Sequence, residues 1–307
     1  MKSVKLLLIL LITGVVFTSC KFLDDDYMYE IPLEEVMTEY DLWYVDYHKT
    51  TGNGDVPFLS KAFTVSFFNG QFYANNNIAD IGITGNGLGI KVGNYNTYNG
   101  YLEIDHSIDG GYDFDVFVIS ANEIRIDDTY NNVSYYLIGY QRNNFDYDKL
   151  FYENIEYFLQ EYVAWEKIST SNSGTVNAFD QEMFLQFTPE NNTTFYSSKD
   201  PFGTDIDIIN WDFIGSYNIY DVQNYDNLKI LTLNYDGGDN EEFELSVIND
   251  RKISLYHISS ETTYEFNGRG FIQFLKGGKE KPNVNVRNNG RKRTKIQRET
   301  KIRRHLK

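Results

Sequence analysis

The chain has 307 residues but one cysteine, Cys20, so no disulfide can form within it. Its four histidines (His48, His106, His257 and His305) stand far apart, and a zinc centre built from closely spaced His and Cys ligands has no support. Proline (5) and methionine (4) are scarce, whereas tyrosine (25) and phenylalanine (22) are abundant, a balance that favours half-buried strands over helices. The most continuous apolar stretch, from Leu6 to Phe17, falls short of the roughly 17–25 residues that a membrane-spanning helix needs. No nucleophile, base and orienting group occur at a recognisable catalytic spacing, so no catalytic residue, cofactor or metal is assigned and the chain is read as non-enzymatic. Asp127-Asp128 does not make a carboxylate pair, because neighbours on a strand face opposite ways.

What is present is organised by charge. The formal net charge is -16, yet 13 of the 28 basic and only 2 of the 44 acidic residues lie between Lys276 and Lys307. The body is strongly acidic and the tail strongly basic, and an acidic body disfavours nucleic acid. At the other end, Lys2 and Lys5 precede the apolar stretch and Thr18-Ser19 leads to Cys20, the layout of a secretory signal over residues 1–19. These residues resemble the lipobox of bacterial lipoproteins, which implies lipidation of Cys20 and an outer-membrane location. The cluster Asp24-Asp25-Asp26, in an acidic tether over residues 20–32, resembles the export signal of surface lipoproteins or is a solvated spacer. The periplasmic and outer faces both stay open.

The mature chain reads as two copies of one unit. Glu39-Tyr40-Asp41-Leu42-Trp43 recurs 122 residues later as Glu161-Tyr162-Val163-Ala164-Trp165, and Gly93-Asn94-Tyr95 recurs at the same shift as Gly215-Ser216-Tyr217. Further on, Phe114 to Ile119 answers Phe243 to Ile248, and Tyr135-Tyr136-Leu137-Ile138-Gly139 answers Tyr264-Glu265-Phe266-Asn267-Gly268, both at a shift of 129. Insertions in loops explain the growing shift. Each copy opens with apolar residues at helical spacing: Leu33, Val36, Met37 and Tyr40, then Ile155, Phe158, Leu159 and Tyr162. Runs that alternate apolar and polar residues follow, separated by Asn-Gly and Asp-Gly turns, which predicts antiparallel strands with one buried face.

A short helix, an Asp-Leu-Trp or Val-Ala-Trp start, a G-x-Y strand and closing hairpins are together similar to the lipocalin-like domains of bacterial surface lipoproteins. The resemblance implies an all-β chain with two tandem antiparallel barrels, over residues 33–140 and 150–275, joined by a linker at 141–149 and followed by a basic disordered tail at 276–307. It also implies a barrel floor in which Trp43 meets Arg142 and Trp165 meets Arg269. Chains much like this one are sometimes called nicotinic acid mononucleotide adenylyltransferases. That name needs a His-x-Gly-His pair, and the isolated histidines do not supply it.

The glycines between Gly82 and Gly93 lack the strand-to-helix setting of a phosphate cradle, so they read as a mobile loop at a barrel mouth. The acidic turns near Asp109 and Asp236 do not fit a calcium loop and read as hairpins. In the tail, Arg291, Lys292, Arg293, Arg303 and Arg304 are candidates for attraction to anionic lipid, acidic glycan or the acidic barrels themselves. The functional expectation is a membrane-anchored binding protein. Its barrels either hold a small apolar or amphipathic ligand or, with filled interiors, serve as a structural docking module.

Overall fold

A computed structural model describes residues 31–188, 193–271 and 298–301. Helix α1 (Leu33–Thr38) opens barrel 1, followed by β1 (Leu42–Gly52), helix α2 (Pro57–Lys61), β2 (Ala62–Phe68) and β3 (Gln71–Asn76). The sheet continues through β4 (Ile90–Tyr98), β5 (Tyr101–His106), β6 (Gly110–Ser120), β7 (Glu123–Asp128) and β8 (Val133–Tyr140). Each strand pairs antiparallel with the next, and β8 returns to β1 with Gly139 opposite Trp43, which closes the barrel. The alternation seen in the sequence is the inside-outside alternation of the wall. Along β8, Val133, Tyr135, Leu137 and Gly139 are buried while the residues between them are partly exposed.

Two helices, α3 (Tyr147–Glu153) and α4 (Ile155–Gln160), lead into the second barrel. Its strands are β9 (Tyr162–Thr170), β10 (Phe184–Thr188), β11 (Thr194–Ser198) and β12 (Phe213–Val222), then β13 (Tyr225–Tyr235), β14 (Asn240–Asn249), β15 (Lys252–His257) and β16 (Thr262–Phe271). Here β16 returns to β9 with Gly268 opposite Trp165, and β11 pairs with β12 to complete the ring. The chain is therefore mostly β, with two closed eight-stranded antiparallel barrels in tandem, an architecture consistent with the lipocalin-like fold.

Within the tail, the expectation of disorder needs one correction. Residues Thr300–Lys301 form strand β17, which pairs in parallel with Asp221 and Val222 of β12. Like-charge repulsion predicts an extended, solvated tail, but this stretch meets acidic groups of barrel 2 instead. The Gly82–Gly93 segment also differs from a mobile mouth loop. Its turns over Ile81–Gly87 lie under the linker, where the Tyr147 hydroxyl donates to the Gly87 carbonyl and Arg142 Nη1 donates to the Asn86 carbonyl at 3.0 Å.

The floors of the two barrels are built alike. Trp43 Nε1 donates to the Met37 carbonyl at 2.9 Å, and Trp165 Nε1 donates to the Leu159 carbonyl at 2.8 Å, each six residues upstream. That bond satisfies a buried indole and seats the preceding helix across the barrel end. A tyrosine stands edge-on to each indole, Tyr40 at 5.2 Å and Tyr162 at 4.8 Å between ring centroids. Tyr40 then donates its hydroxyl to the Ala121 carbonyl and Tyr162 to the Asp250 carbonyl, tying the floor to the β6–β7 and β14–β15 turns.

The barrels are joined through packed residues. Tyr157 of α4 belongs to the buried cluster of barrel 1, its ring 5.5 Å from Tyr47 and its hydroxyl 3.0 Å from His48 Nδ1. Outside that wall, Leu42, Tyr44, Phe63, Ile81, Phe145 and Tyr147 bury one another beneath the linker.

The floor explains two glycines. A Cβ at Gly139 would lie 2.4 Å from the Tyr40 ring, and one at Gly268 would lie 2.5 Å from the Tyr162 ring. Gly139→Ala and Gly268→Ala are expected to cost about 1–3 kcal/mol each by overpacking. Gly111→Ala, with nothing within 4 Å of its Cβ, should stay within about 0.5 kcal/mol of wild type. Urea titration of the three variants checks this, and equal stability of all three would contradict the packing described.

Candidate functional site

A lipocalin-like barrel holds a ligand, if it holds one, in its interior, and side chains occupy both interiors here. In barrel 1, helix α2 folds into the end opposite the tryptophan and inserts Phe58. Its ring stacks on His106 at 4.9 Å and meets Phe72, Tyr112 and Phe114 edge-on. Burial lowers the His106 pKa against the opposing charge of Asp109, which lies 3.0 Å away. The plug hangs from Tyr135: the Val56 amide donates to its hydroxyl at 3.0 Å, and Ser60 Oγ lies 2.9 Å from the same oxygen. Burial pushes Tyr135 up to about 12, so the hydroxyl keeps its proton at any ordinary pH.

Barrel 2 repeats the device with different chemistry. The turn at Ala178–Gln181 carries Phe179, whose ring lies 4.7 Å from Phe243 and 5.1 Å from Tyr264. Tyr264 stands 129 positions after Tyr135 and likewise holds the plug, donating to Asp180 Oδ1 at 2.6 Å and accepting from Asn177 Nδ2 at 2.8 Å. Beneath the plug lies Lys167, 3% exposed, whose Nζ donates to the carbonyls of Phe179 at 2.9 Å and Asp180 at 3.2 Å. The ammonium also faces the rings of Phe179, Tyr264 and Phe266. A cation held against rings and carbonyls contributes more once water is excluded. Lys167 therefore fastens the plug from below.

The charges around it are displaced in consistent directions. Burial lowers Lys167 to about 8, with Glu182 and Asp180 pulling upward. Burial raises Glu182, against the nearby Ser197 hydroxyl, a hydrogen bond from Tyr235 and the Lys167 charge. At Asp180 burial acts upward too, but hydrogen bonds from Tyr264 and Asn177, with Lys167 and His257 nearby, bring the pKa below the ordinary carboxylate value. Next to this group, His257 Nε2 is 2.6 Å from Glu241 Oε2 and His257 Nδ1 is 2.6 Å from Ser260 Oγ. The order of groups is that of a hydrolase relay. Yet Ser260 is 4% exposed, and its Oγ accepts from Asn177 Nδ2 at 3.0 Å while lying 3.0 Å from Thr262 Oγ1. The arrangement ties the β15–β16 turn to the plug.

Of the residues that the sequence singles out, Trp43 and Trp165 form the floors. Arg142 follows β8, with its amide donating to Asp41 Oδ2 at 3.0 Å and its guanidinium on Asn86. Arg269 lies within β16, ion-paired to Glu166 at 3.1 Å and donating to the Thr204 carbonyl at 3.0 Å. The aromatic partner on each indole is a tyrosine, and the arginines secure the coverings outside the wall. Cys20 and the tail residues Arg291, Lys292, Arg293, Arg303 and Arg304 lie outside the described residues. Sequence reading missed the plugs, although Phe58 and Phe179 stand 121 positions apart and their holders Tyr135 and Tyr264 fall inside the recognised repeat.

An open groove of about 480 Å³ lies between barrel 1 and the linker, with Asp80, Asp146 and Asp148 among its lining. Among the described residues no group of three or more His, Cys, Asp or Glu side chains could hold a metal ion. No protein-family model matches the chain, and no curated protein matches it in sequence.

Lys167 makes the plug measurable. Unfolded, the lysine titrates near 10.5, and folded it titrates near 8. Between those values the unfolded chain binds more protons, so the residue's contribution to stability rises with pH across that window. Lys167→Met lacks this dependence. The stability of wild type relative to the variant should therefore increase from below pH 8 to about pH 10, read by urea titration at each pH, and a constant difference would contradict the burial of the ammonium.

Proposed function

We propose that this chain is a lipid-anchored, non-enzymatic envelope protein whose two filled barrels act as a rigid docking module in an outer-membrane or cell-surface assembly. The observation that carries the reading is the pair of plugs. Phe58 and Phe179 occupy the volume in which a small barrel encloses a ligand, and each plug is bonded to a wall tyrosine. A carrier needs an entrance that opens at little cost, and withdrawing either phenylalanine would expose a large aromatic group and break buried hydrogen bonds. The packed joint through Tyr157 supports the same reading, since a docking module benefits from fixed geometry.

The outer surface then supplies the contacts. At neighbouring hairpin tips of barrel 1, Tyr98, Tyr101, Phe117, Val118 and Ile119 are exposed. The tips are linked by the Val116 amide, which donates to the Gly100 carbonyl at 3.0 Å. Clustered exposed aromatic and aliphatic side chains mark interaction surfaces more often than single ones do. Anchoring through Cys20 would hold the module at the outer membrane, facing either the periplasm or the outside.

Two measurements on the full chain test the parts separately. Cells supplied with an alkyne palmitate should label the protein, and Cys20→Ala should abolish the label; an unlabelled wild type would overturn the anchor. Crosslinking in intact membranes should trap a partner that Val118→Asp/Ile119→Asp loses. An adduct pattern unchanged by that variant, or no adduct at all, would count against docking through this face.

A further inference from the structure

Segment 298–301 occupies a place that looks built for it. The β11 strand stops pairing with β12 at Thr194 opposite Ser216, and β12 runs on to Val222 with one edge uncovered by β11. Strand β17 fills that edge in parallel. The Asp221 amide donates to the Glu299 carbonyl and the Gln223 amide to the Lys301 carbonyl, both at 3.1 Å. An uncovered edge of this kind accepts any extended chain through its backbone, and side-chain pockets decide which one.

The pockets here select basic groups. Arg298 enters beside α4, its guanidinium ion-paired to Glu156 and donating to the Tyr152 carbonyl at 2.7 Å. Both side chains of the pair are buried, Arg298 at 6% exposure and Glu156 at 0%. Three residues on, the Lys301 ammonium pairs with Glu242 and lies 4.1 Å from the centroid of Tyr220. A guanidinium carries several donors in a planar fork, so a buried carboxylate plus a carbonyl discriminates it from lysine.

Comparison with barrel 1 shows that the pocket belongs to one copy only. Glu34 stands 122 positions before Glu156, and it accepts from the Tyr95 hydroxyl at 2.7 Å and the Thr97 hydroxyl at 3.3 Å. In barrel 2 the matching Tyr217 hydroxyl accepts from Gln160 at 2.6 Å, and Ile219 stands in place of Thr97. The carboxylate that bonds wall hydroxyls in one barrel is paired with an arginine brought from the tail in the other.

We infer that barrel 2 carries a receptor site for an extended Arg-x-x-Lys strand, which the chain's own tail fills and a second strand of the same pattern can fill in its place. The inference deepens the docking reading by naming a partner chemistry, but it concerns barrel 2 alone and involves neither Cys20 nor the exposed tips of barrel 1.

The test is fluorescence anisotropy with a labelled peptide spanning Lys295–Arg303 and the full chain carrying Arg298→Ala and Lys301→Ala, which empties the site. One-to-one binding is expected at physiological salt, at least tenfold weaker when the peptide itself carries Arg298→Ala or is scrambled. Wild-type protein should bind the intact peptide at least tenfold more weakly than the emptied chain, because its own strand competes. Glu156→Gln added to the emptied chain should also cost tenfold or more. If the emptied chain fails to fold, wild type decides, since the intact peptide must then bind it saturably at higher concentration and the Arg298→Ala peptide must not. Absence of binding, or equal binding of the intact and scrambled peptides, would overturn the receptor site and reduce the contact to charge attraction. Failure here leaves palmitate labelling and crosslinking at barrel 1 unaffected, so the two readings fail separately.

Discussion

Helix α4 is six residues long, too short to be stable in water by itself, and all six of its residues are buried. The indole N–H of Trp165 on the Leu159 carbonyl fixes its position, and contacts that join distant parts of the chain depend on that position. Phe158 packs on Trp165 and completes the floor of barrel 2. Tyr157 turns the other way into the core of barrel 1 and makes the joint between barrels. Glu156 receives Arg298 from the tail, and Gln160 bonds Tyr217 of the wall. In barrel 1 the corresponding bond, Trp43 to Met37, seats a helix that has only its own floor to close.

Closure at the floor and plugging at the opposite end leave an interior defined by the chain itself. Aromatic side chains make this possible. A Phe ring fills the width of a small barrel with few rotatable bonds, and Tyr adds a hydroxyl that can hold a plug in place. The two copies reached the same end with different polar chemistry. Barrel 1 uses Ser60 and Asp55 near Tyr135, whereas barrel 2 uses Asn177 and Asp180 on Tyr264 with a buried lysine beneath. Duplication followed by such divergence is expected when shape is under tighter constraint than the residues that provide it. Beside the floor helices the copies differ as well: Glu156 pairs with Arg298 in barrel 2, where Glu34 accepts from Tyr95 in barrel 1.

Much of the barrel architecture was legible in the sequence because it depends on period two and on repetition. Phe114, Val116, Asp113 and Asp115 point where the alternation places them, but Val118, expected on the buried side with Phe114 and Val116, is exposed because the strand runs on past the core to its hairpin tip. The repeat located both floor tryptophans and both glycines opposite them. The helical spacing places Tyr40 and Tyr162 as the last apolar residues of helices, but α1 ends at Thr38 and α4 at Gln160, and both tyrosines stand against the indoles. The plugs were hidden because a single Phe between strands carries no periodic signal, and Lys167 was hidden because a lysine on an alternating strand looks like a surface residue. The tail strand was missed for a related reason: a run of like charges reads as disorder until the acidic partner, distant in sequence, is placed beside it.

The proposed docking role rests on each barrel being filled by its own side chains. Trp43 and Trp165 stand at the two floors and report on the interiors. Titration of the full chain with a fluorescent long-chain fatty acid, followed by quenching of tryptophan emission, distinguishes filled interiors from open ones. No saturable quenching is expected at concentrations where the probe is monomeric. One-to-one saturable quenching, abolished by a bulkier substitution inside a barrel, would show that a ligand can enter and would contradict filled interiors.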